Sequence, residues 1–133
     1  MKLCSIASGS SGNCIYVESQ GTKLLIDSGL SGKAVAKGLE QIGSHGSQLD
    51  GILVSHDHSD HVKGVGILSR KYDIPIYANP ATWEEIKDKI GKLEQKNIKY
   101  FENNQPFELN NFFVEPFSTP HDACDPVGFS LYG

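Results

Sequence analysis

Gly51-Ile52-Leu53-Val54-Ser55-His56-Asp57-His58-Ser59-Asp60-His61 decides how this chain is read. The first four residues form a short apolar run, and such a run reads as a buried strand. The last six, written H-x-H-x-D-H, hold three histidines and two aspartates. The cluster therefore sits just past a strand end, where α/β folds build their sites. Imidazole nitrogen and carboxylate oxygen at this density suit a borderline-soft divalent ion such as zinc. Side chains two apart on an extended backbone point the same way, so His56 and His58 are expected to share one metal. Asp60 and His61 belong to the next turn and aim elsewhere. They suit a second ion roughly 3.5–4 Å away, the spacing of two-metal hydrolytic sites. A lone histidine would read as a solvated loop residue, but three beside a carboxylate in one short run do not. Asp57, between two ligands, points away and is expected to be solvated or to brace the loop.

Around this run the pattern is of strands alternating with helices. Lys2 to Ala7 and Asn13 to Glu18 read as strands joined by the loop Ser8-Gly9-Ser10-Ser11-Gly12. Thr22 to Asp27 is a third, with Leu24, Leu25 and Ile26 continuous enough for burial on both faces. Ser31 is a helix N-cap, Val35, Leu39 and Ile42 form an apolar stripe, and Gly43 ends that helix. A second helix runs from about Lys63 to Tyr72 and a strand from Ile74 to Ala78. Asn79-Pro80 opens a third helix, with Trp83, Ile86 and Ile90 on one face. Ile98 to Phe101, Phe107 to Leu109, Phe112 to Phe117 and Val127 to Tyr132 read as strands.

Ser118-Thr119-Pro120-His121 follows one of these strands, so another histidine stands at a strand end. If the two strands lie in facing or neighbouring sheets, His121 completes a three-histidine pocket with His56 and His58. Three protein ligands and a water position describe a catalytic zinc, not a structural one. Read alone, His121 would be a surface histidine. Asp27 has two readings: orienting a ligand histidine or its loop, or closing an Asx turn before Gly29. The glycine-rich loop lacks the Gly-Lys-Ser/Thr of a phosphate loop and enters a strand; it is either a plain hairpin or a backbone wall beside the metals. Cys124 is not expected to ligate. His45 is expected to face solvent. Lys87, Lys89, Lys92, Lys96 and Lys99 alternate with acids and read as a solvated helix face.

The 133 residues fit one domain by length, and 38% apolar residues permit a modest core. A net charge of −4 offers no basic field for nucleic acid or anionic membrane, although bound cations themselves attract phosphates. No apolar run approaches membrane-spanning length. The opening residues are too short an apolar region for a signal peptide, and Cys4 lies too near the start for a lipoprotein cleavage site. Three cysteines without a C-x-x-C point to free thiols and a cytoplasmic protein.

Ile26-Asp27-Ser28-Gly29, the run Ser55 to His61 with Gly64 after it, and Ser118 to His121 together resemble the metallo-β-lactamase-fold hydrolases. The opening Ser5 to Asn13 and the stretch Leu68 to Tyr77 resemble one bacterial branch of them, the YycJ/WalJ-like proteins. The resemblance runs over essentially the whole chain. It implies an αβ architecture, a four-layer αβ/βα sandwich with metals at one sheet edge. It also implies His56, His58 and His121 on the first metal and Asp60 and His61 on the second. The branch implies phosphodiester hydrolysis, with exonuclease action on DNA. In the family a second αβ half adds a bridging aspartate and a last histidine, and no histidine follows His121. The expectation is that residues 1–133 are the first half of the fold, a truncated piece whose parent is the enzyme.

The expected chemistry is hydrolysis by a metal-bound hydroxide, because divalent ions lower the pKa of bound water towards ~7 and polarise the attacked oxygen. Asp60, beside the nucleophile, would orient it. Two ions are expected, zinc first, with manganese or iron as alternatives. Two other functions remain open: hydrolysis of small thioesters, lactones or other esters with the same ligands, and a non-catalytic metal-binding fragment. Likeness of fold is a weak warrant for substrate.

Overall fold

The computed structural model describes residues 2–7, 14–28, 31–55, 62–118 and 127–132. Six strands make the first sheet, in order: β1 (Lys2–Ala7), β2 (Cys14–Ser19), β3 (Thr22–Ile26), β4 (Gly51–Leu53), β5 (Ile76–Ala78) and β6 (Ile98–Tyr100). β1, β2 and β3 are joined antiparallel, and β3 to β6 run parallel. Parallel neighbours need a crossover, and α1 (Gly32–Gln41), α2 (Val62–Tyr72) and α3 (Pro80–Ile86) supply them. A second sheet holds β7 (Phe107–Leu109), β8 (Phe112–Ser118) and β9 (Val127–Tyr132), all antiparallel.

The two-residue side-chain alternation of the strands builds two cores. Tyr16, Leu25, Ile52, Ile76 and Ala78 face the helices and pack with Val35, Leu39, Val65, Leu68, Trp83 and Ile86. Val17, Leu24 and Leu53 point the other way, onto Leu109, Phe112 and Val114 of the second sheet. Leu24 and Leu25 are both fully buried, as their continuous apolar run predicts. The molecule is thus layered helix, sheet, sheet.

The expected caps form: the Ser31 hydroxyl accepts from the Ala34 N–H at 3.2 Å, and the Asn79 carboxamide accepts from Thr82 at 2.8 Å ahead of Pro80. One element falls short of expectation. α3 ends at Ile86, not beyond Ile90, so Lys87 onward is not a helix face. The apolar stripe still holds, since Ile90 stays buried and its N–H still reaches the Ile86 carbonyl at 3.1 Å. The chain then leaves the helical path, because Gly91 takes a left-handed φ of 78° and Arg70 Nη1 draws the Ile90 carbonyl at 2.6 Å. Of the lysines, Lys96 pairs with Asp73 at 2.8 Å and holds that carboxyl below the ordinary carboxylate range. His45 is exposed as expected, yet it caps the short turn at Gly46 and sits edge-on to Tyr72, with ring centroids 5.4 Å apart.

Candidate metal centre

The parallel strands β3 to β6 all end at one edge of the first sheet. Ile26 lies beside Leu53, Leu53 beside Tyr77, and Ala78 beside Tyr100. The antiparallel pair contributes its turn to the same edge, where Ala7 lies opposite Cys14 and Ile15 beside Ile26. Ala7, Cys14, Ile26, Leu53 and Ala78 therefore all stand at this edge.

The root of the histidine run is pinned on both sides. The Asp27 N–H donates to the Leu53 carbonyl at 2.7 Å, and the Val54 N–H donates to Tyr77 at 2.9 Å. The Asp27 carboxylate then spans to the next strand. Oδ1 accepts from the Ser55 N–H at 2.8 Å and Oδ2 from the Ser55 hydroxyl at 2.5 Å. To make this clasp the backbone turns at Asp27 into the left-handed region, φ 59°, which aspartate tolerates better than most side chains. The bracing role expected of Asp27 is seen: its carboxylate grips Ser55, the residue immediately before His56 in the sequence. Beside it, the Ser28 hydroxyl is buried and has no hydrogen-bond partner among the described residues.

Three polar side chains tie the second root, at the end of β8, to the end of β5. Asn79, at the end of β5, donates from Nδ2 to Asn103 Oδ1 at 3.0 Å, and Asn103 donates from its own Nδ2 to the Ser118 hydroxyl at 3.0 Å. Ser118 is the last residue of β8. The end of β8 is thereby tied to the edge where β4 ends, and residues 119–126 leave from there. Ser55 was quoted in the sequence only as the start of the histidine run, Asn79 only as a helix cap, and Asn103 not at all. The turn-forming pair Asn103-Asn104 was visible, but nothing local announces a partner on β8.

His56, His58, Asp60, His61 and His121, with Asp57 and Cys124, lie outside the described residues. Among the described residues no three metal-ligating side chains gather. Cys14 stands at the same edge, and burial first, and the Asp27 charge second, push its thiol up to about 12. At neutral pH it is a protonated thiol, unsuited to act as nucleophile. Cys4 and Cys14 are both free.

The model of the metallo-beta-lactamase superfamily matches residues 7–132. The exodeoxyribonuclease YycJ of Bacillus anthracis is 41% identical over 127 residues, covering 96% of this chain and 48% of that protein. The exodeoxyribonuclease WalJ of Streptococcus pneumoniae strain D39 is 42% identical over 123 residues, 91% of this chain and 46% of that protein. The chain thus spans about half the length of the curated relatives it matches. Among solved structures, a subclass B3 metallo-beta-lactamase with an active-site glutamic acid superposes with a TM-score of 0.79 at 14% identity, over 97% of this chain and 53% of that one. The soil-metagenome B3 enzyme MEM-A1 gives 0.76 at 19% identity, over 97% and 54%. These likenesses show the fold, over about half of each of those chains. The chain belongs to the metallo-beta-lactamase superfamily, in its YycJ/WalJ-like branch.

Proposed function

We propose that this chain is the metal-binding first half of a two-metal phosphodiesterase that degrades DNA from an end. The observation that carries the reading is the pair of clasps, Asp27 on Ser55 and Asn79–Asn103 on Ser118, which bring the roots of both histidine segments to one sheet edge. The donor set fits divalent metal: His56, His58 and His121 would hold one ion, Asp60 and His61 a second. Such ions, when bound, acidify water towards ~7 and polarise a phosphoryl oxygen. The chain's own part is to hold the imidazoles at fixed strand ends and, through Asp60, to orient the attacking water. Asp27 braces the root of the first segment through Ser55. The names of the two relatives support DNA as substrate. Free thiols at Cys4 and Cys14 support a reducing, cytoplasmic location. The remaining ligands of the second ion would come from a second αβ half, so residues 1–133 alone are expected to bind metal weakly and turn over little.

The test is a cleavage assay on the full-length protein with end-labelled single- and double-stranded DNA beside a panel of chromogenic esters and thioesters. Stepwise release of nucleotides, lost on chelation and restored by added zinc or manganese, is the expected result. Cleavage of the esters alone would reject the nucleic-acid assignment.

A further inference from the structure

We infer that Asn103 is a positioning residue for the segment that carries His121, acting through the Ser118 hydroxyl. The inference rests on the metal-centre reading above. Asn103 presents one acceptor and one donor in a fixed fork. Its oxygen takes the Nδ2 of Asn79 at 3.0 Å, and its nitrogen holds Ser118 Oγ at 3.0 Å. Asn79 is 1% exposed and its other end caps α3 at Thr82, so it is an anchor fixed in the core. Asn103 passes that fixity across to the last residue of β8.

The turn bearing Asn103 does not depend on its side chain. Gln105 donates to the Glu102 carbonyl at 3.2 Å, Asn104 takes a left-handed φ of 66°, and the Asn104 N–H donates to Pro116 of β8 at 2.8 Å. Turn and strand are already stapled together by backbone. Beyond this backbone staple, the amide fork adds a grip on the point where the chain leaves β8. Between Ser118 and His121 stand Thr119 and Pro120. Proline fixes its own φ and restricts the residue before it. β9 returns opposite Ser118 at Val127, which makes Ser118 one root of the connection and the Asn103 contact a clamp on that root.

The test uses the full-length protein loaded with cobalt(II), whose visible absorption reports its ligands. Ser118→Ala and Asn103→Leu each remove the clamp. Both are expected to weaken cobalt binding by about 10–100-fold, the usual effect of losing a group that orients a ligand, and to shift the visible band. Thermal unfolding of the metal-free Ser118→Ala protein is expected to match wild type, since Ser118 is exposed. Asn103→Asp is expected to restore affinity and spectrum, because a carboxylate accepts from both the Asn79 amide and the Ser118 hydroxyl. If Asn103→Leu fails to fold, Ser118→Ala decides alone. Wild-type affinity and spectrum in Ser118→Ala would overturn the inference and leave the metal centre standing. A wild-type protein that takes up no cobalt would overturn the metal-centre reading as well.

Discussion

Asp27 does two jobs with one residue: it ends β3 with a left-handed turn and reaches into the next strand to hold Ser55. Replacing it with alanine removes the carboxylate that accepts from the buried Ser55 N–H and hydroxyl, at about 1–3 kcal/mol. Alanine also lacks a side chain that compensates the left-handed backbone, on the order of 1 kcal/mol. Asp27→Ala is therefore expected to lose about 2–4 kcal/mol in denaturant unfolding and to lower metal affinity. Asp27→Asn, which can accept from the N–H and donate to the hydroxyl, should lose much less. Sequence alone left Asp27 between an Asx turn and a brace, because the deciding partner is 28 residues away. Cys14 gives a second residue-scale test. Its thiol is raised from 9.0 to about 12, by burial and then by Asp27. A raised thiol favours the folded state below pH 9.0, and that contribution fades as pH climbs from 9.0 towards 12. Alkylation by iodoacetamide at pH 8 should be far slower at Cys14 than at the partly exposed Cys4. Equal rates would contradict the burial.

Elements were legible where periodicity and end signals agreed. Ser31 and Asn79 cap the helices they were expected to cap, and Leu24-Leu25 is buried on both faces as a parallel strand requires. The end of α3 was not legible, because the apolar stripe of Trp83, Ile86 and Ile90 continues past the point where the backbone leaves the helix. The chain turns away at Gly91, φ 78°, where Arg70 holds the Ile90 carbonyl. The same packing gives a sharp prediction at Gly66, inside α2. Alanine is the better helix former by about 1 kcal/mol, so propensity alone predicts stabilisation. A Cβ at Gly66 would lie 2.3 Å from the Ile90 carbonyl oxygen, and that backbone cannot give way without releasing Arg70. Gly66→Ala is expected to destabilise by about 1–3 kcal/mol, read as a lowered melting temperature; a rise would show that the α2 contact is loose.

At the scale of the molecule, the candidate site was readable as a motif but not as an assembly. H-x-H-x-D-H and His121 announce ligands, while the clasps that gather their roots are built from Ser55, Asn103 and Ser118, residues whose types carry no such signal. The expected two-sheet arrangement is present, with Val17, Leu24 and Leu53 packed on Leu109, Phe112 and Val114. Leu53→Ala, in the middle of that contact, should cost about 2–5 kcal/mol by chemical denaturation. The far face of the second sheet shows Phe113 (40% exposed), Phe117 (43%) and Tyr132 (54%). The proposed second αβ half would cover this face. Residues 1–133 expressed alone should therefore bind the dye ANS, and less so once Phe113 and Phe117 are both serine. The central claim is that the H-x-H-x-D-H run and His121 form a metal centre. Elemental analysis of the purified full-length protein, wild type beside His58→Ala, tests it most directly. About two divalent ions per wild-type chain, with a marked loss in His58→Ala, is the predicted result. A wild-type protein without stoichiometric metal, or a His58→Ala protein that keeps all of it, would contradict the account.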